Sequence, residues 1–199
     1  TVVIEGGTEV GITAHATDFD ADSSITYSLS NDAGGRFAID AMTGVVTVAD
    51  GAVLDFETAA SHMIVVEASD GTFTNTSRFT INVLNAPPSL LSDVDGATNL
   101  VPEGVGTGTE VGIQVAALDP AGGAVTYSLL DDAGGRFAID AQTGTVTVAN
   151  GALLNYETAT AHTIIVQATD GQLESSAAFS IGIVNAAPSA PSDINPLAN

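Results

Sequence analysis

Apolar and polar residues alternate along most of the first hundred positions, with a period of two. The stretches "EVGITAHAT" (Glu9–Thr17), "ITYSLS" (Ile25–Ser30), "RFAID" (Arg36–Asp40), "VVTVA" (Val45–Ala49), "HMIVVEAS" (His62–Ser69) and "SRFTINVL" (Ser77–Leu84) all follow it, and "TVVI" opens the chain. Such alternation predicts half-buried strands. Phe79, Ile81 and Val83 share one face, and Phe179, Ile181 and Ile183 repeat that face. Between the runs lie "NDAGG", "MTG" and "SDGT", whose glycines suit turns with positive backbone angles. The one helix-like run, "FETAASHM", is too short to bury much surface. Seven short strands in about 100 residues predict a Greek-key β-sandwich.

The pattern then repeats. "GGRFAIDAMTGVVTVADGAVLDFETA" (Gly34–Ala59) returns as "GGRFAIDAQTGTVTVANGALLNYETA" (Gly134–Ala159), with Asp40 matching Asp140 at a period of 100 residues. That period is too long for a solenoid unit and fits a whole domain. The 199-residue chain is therefore expected to form two tandem seven-stranded Greek-key sandwiches, all-β and arranged end to end. The expected boundaries are 1–86, 87–187, and 188–199 as the start of a third repeat. By comparison with the second repeat, the first is expected to start past its own opening segment. The tail Pro188–Asn199 resembles Pro88–Asn99; it is expected to be disordered, the competing expectation being that it docks as a donated strand on a neighbouring copy.

Charge narrows the function. There are 24 acids against three bases, Arg36, Arg78 and Arg136, giving a net charge of −21. A phosphate backbone or an anionic bilayer would repel this chain, so neither nucleic acid nor direct membrane insertion is expected. Cations are the favoured partners, and plain solubility is the competing explanation for the acids. With no cysteine, disulfides and thiolate metal sites are excluded. Both copies end in an acidic knot, "LDFE" and "LNYE". Clustered carboxylates repel one another, so the knots call for a positive partner.

Several other motifs carry little. "DFDADSS" begins like an EF-hand loop, but Ser23 and Leu29 stand where glycine and glutamate are needed. "GVGTG" has neither the lysine nor the strand–helix setting of a phosphate cradle. His15, His62 and His162 form no zinc-like spacing. Asp55 and Glu57 are adjacent acids on one strand end, in a chain without tryptophan, and make a poor glycosidase cleft. The chain is expected not to be an enzyme.

In order and spacing, these motifs resemble the cadherin repeat. "RFAID-x-x-TG-x-V" is similar to that family's "F-x-I-D-x-x-T-G-x-I", "LDFE" to its "LDRE", "VVEASDG" to its "A-x-D" strand, and "TDFD" to its "D-x-D". Glu5 sits at the family's early glutamate. The richness in Ala, Gly and Asp is nearest the cadherin-like repeats of large bacterial surface adhesins. The resemblance implies calcium between consecutive repeats, and calcium is the one cofactor expected. An inner site would take Glu5, Asp55 and Glu57 from one repeat with Asp119 and Asp170 from the next; Asn85, with Asn82 nearby, adds neutral oxygen. Asp18, Asp20 and Asp70 would form a lower half-site at one end, and Glu103 and Glu157 an upper half-site at the other. The sequence also departs from the family. Ala121 replaces the second aspartate of "D-x-D", Asn155 replaces the aspartate of "LDRE", and the linkers lack the family's aspartate. Fewer ions than in a fully furnished linker are therefore expected.

The implied function is a calcium-binding adhesion module of an extracellular or surface-bound bacterial protein, stiffened by calcium. Its other expected partners are a second copy (homophilic contact) or cell-surface glycans, with a carbohydrate-binding module as the alternative. A plain spacer and a homophilic contact module read the same in the sequence.

Overall fold

The computed structural model describes residues 1–19 and 24–188, and all its extended elements are β-strands. The chain divides into two compact units. The first comprises Thr1–Ser89 together with Leu118–Val125 and Thr169–Glu174; the second comprises Leu90–Ala117, Thr126–Ala168 and the chain from Ser175 on. Asp20 and the tail beyond Pro188 lie outside the described residues, and so do the expectations placed on them.

Seven strands build the first sandwich, as the alternation predicts: β1 (Val2–Ile4), β2 (Glu9–Thr13), β3 (Thr26–Asn31), β4 (Phe37–Ile39), β5 (Val45–Val48), β6 (Ser61–Ser69) and β7 (Thr74–Leu84). They form a four-stranded sheet in the order β1-β7-β6-β3 and a three-stranded sheet in the order β2-β5-β4. Their inward residues meet in one core. Val10, Phe37, Val46, Leu54, Ile64, Ile81 and Val83 are all buried there. The Tyr27 hydroxyl reaches across to accept a hydrogen bond from the Ala16 backbone N–H at 2.9 Å, which satisfies a donor at the sandwich end.

The second unit repeats the plan with one addition. Its strands are β8 (Ser92–Asp93), β9 (Leu100–Pro102), β10 (Glu110–Ala116), β11 (Thr126–Asp131), β12 (Phe137–Ile139), β13 (Thr145–Val148), β14 (Ala161–Thr169) and β15 (Glu174–Val184). The short β8 pairs with β10 and makes the second sheet four-stranded, β12-β13-β10-β8. The helix-like run after Leu54 forms no helix. Residues 56–58 turn and Ser61 already starts β6, because burial of Ile64 and Val66 at period two outweighs any helical preference of so short a stretch. A 3-10 turn at Gly151–Leu153 is the one helical element among the described residues.

The "ID-x-x-TG" runs are turns with a mechanism. Asp40 Oδ1 accepts from the backbone N–H groups of Met42 and Thr43, and Asp140 accepts likewise from Gln142 and Thr143. These bonds hold both carboxyls below the usual carboxylate range. The glycine that follows has a φ of 70° in each copy, and a Cβ there would overlap a passing carbonyl, that of Ala14 in one and Val115 in the other. No other residue type fits. Many of the acids are thus turn caps, a role that the net charge alone does not reveal.

His62 and His162 occupy equivalent positions on β6 and β14, each with its ring packed on a phenylalanine, Phe37 at 5.8 Å and Phe137 at 6.2 Å. Burial, followed by the neighbouring Arg36 or Arg136 charge, lowers the pKa of both imidazoles below the ordinary 6.5. The unfolded chain therefore takes up protons at a higher pH than the folded one. Stability from these neutral rings is complete above pH 6.5 and is lost as pH falls through the depressed range. Thermal melts from pH 7 to pH 5 should show this fall. The double variant His62→Gln, His162→Gln should flatten it, and an unchanged slope would place the titration elsewhere.

Candidate metal centre

Strand register brings distant residues together. β1 runs parallel to β7 with Val2 opposite Asn82, Val3 opposite Val83 and Ile4 opposite Leu84. Glu5 and Asn85 follow as the next pair past the end of that ladder, and the Glu5 N–H donates to the Leu84 carbonyl at 3.0 Å. Glu5 is only 2% exposed. Its Oε1 accepts from the Ala86 N–H at 2.8 Å and its Oε2 from the Phe56 N–H at 3.2 Å, so a buried charge is held by charge-assisted bonds. Leu54, fully buried, anchors the loop that carries Asp55, Phe56 and Glu57.

Two further acids belong to the first unit through its segments Leu118–Val125 and Thr169–Glu174. Asp119 is 6% exposed, and its Oδ1 accepts from the N–H groups of Ala121 and Gly123, each at 2.9 Å. Asp170 Oδ1 accepts from Gln172 and Leu173, both at 2.7 Å. In each case the second oxygen, Oδ2, is buried without a hydrogen-bond partner, as are both polar side-chain atoms of Asn85. Leaving such atoms unpaired costs about 1–3 kcal/mol each, more when charged.

One carboxylate oxygen each from Glu5, Glu57 and Asp119 lies within 4.8 Å of the others. Glu57 is exposed, yet partial desolvation of its carboxyl, and then the negative charges of Glu5, Asp170 and Asp119, push it above its usual range. The donors are all oxygen, which suits a hard cation and not zinc or copper. Two oxygens on one calcium ion at about 2.3–2.6 Å lie at most about 5.2 Å apart, so the observed spread is compatible with a shared ion.

Asp55 stands slightly apart. Its oxygens accept from Thr58 N–H at 2.9 Å and Thr58 Oγ1 at 2.7 Å, which holds its carboxyl below the usual range; weaker bonds from the Glu57 side act the same way. Asn155 makes the same pair of bonds to Thr158. The "D/N-x-x-T" spacing in "DFET" and "NYET" is the sequence signal for this cap.

The two end sets are arranged as follows. Asp18 and Asp70 line one groove of the first unit. Asp70 Oδ1 accepts from Thr72 and Phe73, and these bonds, Phe73 first, with a smaller one from Asp18, lower its pKa. Asp20 is outside the described residues. In the second unit Glu103 copies Glu5, accepting from the N–H groups of Ala186 and Tyr156 at 2.9 Å each, and these two bonds depress its carboxyl. Glu157 accepts from Asn185 Nδ2 at 3.4 Å.

Fold and site together define a chain of repeated β-sandwiches with acidic sandwich ends. The cadherin-domain family profile matches residues 3–84 and again 98–184, and the chain belongs to that family. Among curated relatives it is 34% identical to human Protocadherin Fat 1 over 175 residues, which is 82% of this chain and 4% of that protein. It is 30% identical to chicken Cadherin-related family member 1 over 165 residues, 80% of this chain and 19% of the relative. It is 34% identical to mouse Cadherin EGF LAG seven-pass G-type receptor 2 over 169 residues, 82% of this chain and 6% of the relative. The chain thus spans a small fraction of each of these proteins. Among solved structures, human Protocadherin-24 EC1-2 aligns with a TM-score of 0.47 at 20% identity, covering 94% of each chain. Drosophila N-cadherin EC1-3 aligns at 0.45 and 23%, covering 93% of this chain and 64% of the other. These relatives are animal proteins, not bacterial adhesins. Cadherin domains are extracellular, non-enzymatic domains of calcium-dependent adhesion. No helix among the described residues is long and apolar enough to cross a membrane.

Proposed function

We propose that this chain is a calcium-binding adhesion module in which calcium stiffens the link between successive repeats. The observation that carries the reading is the set of buried oxygens without partners, on Asp119, Asp170 and Asn85, beside the Glu5, Glu57 and Asp119 cluster. Calcium supplies a hard dipositive charge that wants six to eight oxygens. Glu5, Glu57, Asp119 and Asp170 would hold it, with Asn85 as a neutral donor and Asp55 at the rim. Asp18, Asp20 and Asp70, and separately Glu103 and Glu157, are proposed as half-sites completed by a neighbouring repeat. Without the ion the carboxylates repel; with it their charge is neutralised and the linker loses freedom.

The parent protein is proposed to be a bacterial surface or secreted adhesin, a reading supported by the absence of lysine and the richness in Ala, Gly and Asp, which is nearest the repeats of such adhesins. Its adhesive contact is proposed to be homophilic. Glycan binding is the competing role, and a glycan array with and without calcium separates the two. The direct test is a calcium titration followed by small-angle scattering. Binding in the range of about 10⁻⁴–10⁻³ M, typical of extracellular modules, is expected, with a narrower distribution of interatomic distances at saturation. No binding and no change in scattering at 10 mM, about ten times the upper end of that range, would refute the reading.

A further inference from the structure

We infer that Gly6 is a positioning residue of the metal centre: its missing side chain is what lets the Asp119 turn approach Glu5. The inference rests on the calcium reading above. Gly6 follows Glu5 in a tight turn in which the Gly7 N–H donates to the Ile4 carbonyl at 3.0 Å, and its φ is 67°. The turn is anchored on the core side, because the Gly6 N–H donates to the carbonyl of buried Leu54 at 3.1 Å. On its open side a Cβ at Gly6 would lie 2.7 Å from the Pro120 carbonyl oxygen and 3.3 Å from Pro120 Cβ. Pro120 is the immediate neighbour of Asp119.

The Gly6 turn is pinned to the core, whereas Pro120 is exposed, so the Asp119 turn is the side that gives way. The Asp119 carboxylate binds Ala121 and Gly123, and the Gly122 N–H binds the Asp119 carbonyl at 3.0 Å, so the turn moves as one body and takes the carboxylate with it. Reaching ordinary contact requires the Pro120 oxygen to retreat by roughly 0.7 Å. Calcium–oxygen bonds span only about 2.3–2.6 Å, so a displacement of that size takes Asp119 out of the shared coordination sphere.

The second repeat supplies a control. Gly104 follows Glu103 as Gly6 follows Glu5, with a φ of 69°, yet a Cβ there would meet nothing within 4 Å. Gly6→Ala and Gly104→Ala therefore incur the same backbone strain, about 1–2 kcal/mol, but only the first meets the turn. Gly6→Asn adds a useful third case, since asparagine tolerates positive φ while keeping the Cβ.

The experiment is calorimetric calcium titration of the intact chain and the three variants, with melts in chelator alongside. Expected is a loss of calcium affinity of about tenfold or more for Gly6→Ala and Gly6→Asn, the size usual for groups that orient metal ligands, with Gly104→Ala binding as wild type. In chelator, Gly6→Ala and Gly104→Ala should lose similar stability and Gly6→Asn less. Wild-type affinity in Gly6→Asn, when the unaltered chain does bind calcium, overturns the assignment of Gly6 alone. An unaltered chain that binds no calcium overturns the site reading, and this inference with it.

Discussion

Glu57→Ala should lower calcium affinity by at least about tenfold, while Glu157→Ala leaves the tightest binding event nearly untouched. The asymmetry follows from what each carboxylate faces. Glu57 has one oxygen within 4.8 Å of oxygens on both Glu5 and Asp119, and feels the charge of Asp170 as well. Glu157 occupies the matching position in the second repeat, yet the contacts described for it are with Asn185 and Glu103, with no aspartate among them. Charge count tunes calcium affinity, and on the proposed reading removing Glu57 from the Glu5, Glu57 and Asp119 cluster would remove both a ligand and a unit of charge. Calorimetry on the two variants, run at the same protein concentration, decides the matter. Equal losses from both would mean that the ions bind outside the Glu5, Glu57 and Asp119 cluster.

Millimolar calcium should also raise the melting temperature of the chain. On the proposed reading the folded site would bind the ion and the open chain would not, so the ion would stabilise by mass action. At 10 to 100 times the dissociation constant the gain is about 1.4–2.7 kcal/mol, which for a domain of this size corresponds to roughly 5–20 °C. In chelator the two units should melt in separable steps. Calcium should move the first unit upward, because Glu5, Glu57, Asp119 and Asp170 all belong to it. Differential scanning calorimetry in 10 mM calcium and in chelator reads both effects. A melt that does not shift would mean that the site, with Ala121 in place of the family's second aspartate, binds too weakly to stabilise the fold.

The two predictions draw on different levels of the chain. Strand positions were legible in the local pattern because each strand buries one face, and burial of alternate residues leaves a period of two. All seven predicted strands of the first sandwich are present, from Val2–Ile4 to Thr74–Leu84. The short β8 at Ser92–Asp93 was not legible: two polar residues carry no periodicity, and the strand forms only because β10 offers it backbone partners. The glycines of the "ID-x-x-TG" turns were recognisable from local chemistry alone, since an aspartate cap and a positive φ are properties of a few consecutive residues.

The acids of the candidate site were picked out by motif order, but their individual roles needed the fold. Asp119 and Asp170 are both named from the sequence as ligands of the inner site, but the sequence does not say how each carboxylate is held. Each turns out to use one oxygen to hold its own turn and to keep the other buried and unpaired. Asp55 and Asn155 looked like a ligand and its weakened copy. In the structure both cap a threonine three residues on.

By itself, then, the sequence determined the β-sandwich repeats, their period, and a surplus of carboxylates, because burial periodicity, turn chemistry and net charge are sums over near neighbours in the chain. The tertiary structure decided which carboxylates converge. Glu5 and Asn85 become neighbours only through the parallel β1–β7 register, and Gly6 matters only because the Pro120 carbonyl passes 2.7 Å from where its side chain would be. Such contacts join residues eighty to more than a hundred positions apart, and no local pattern records them.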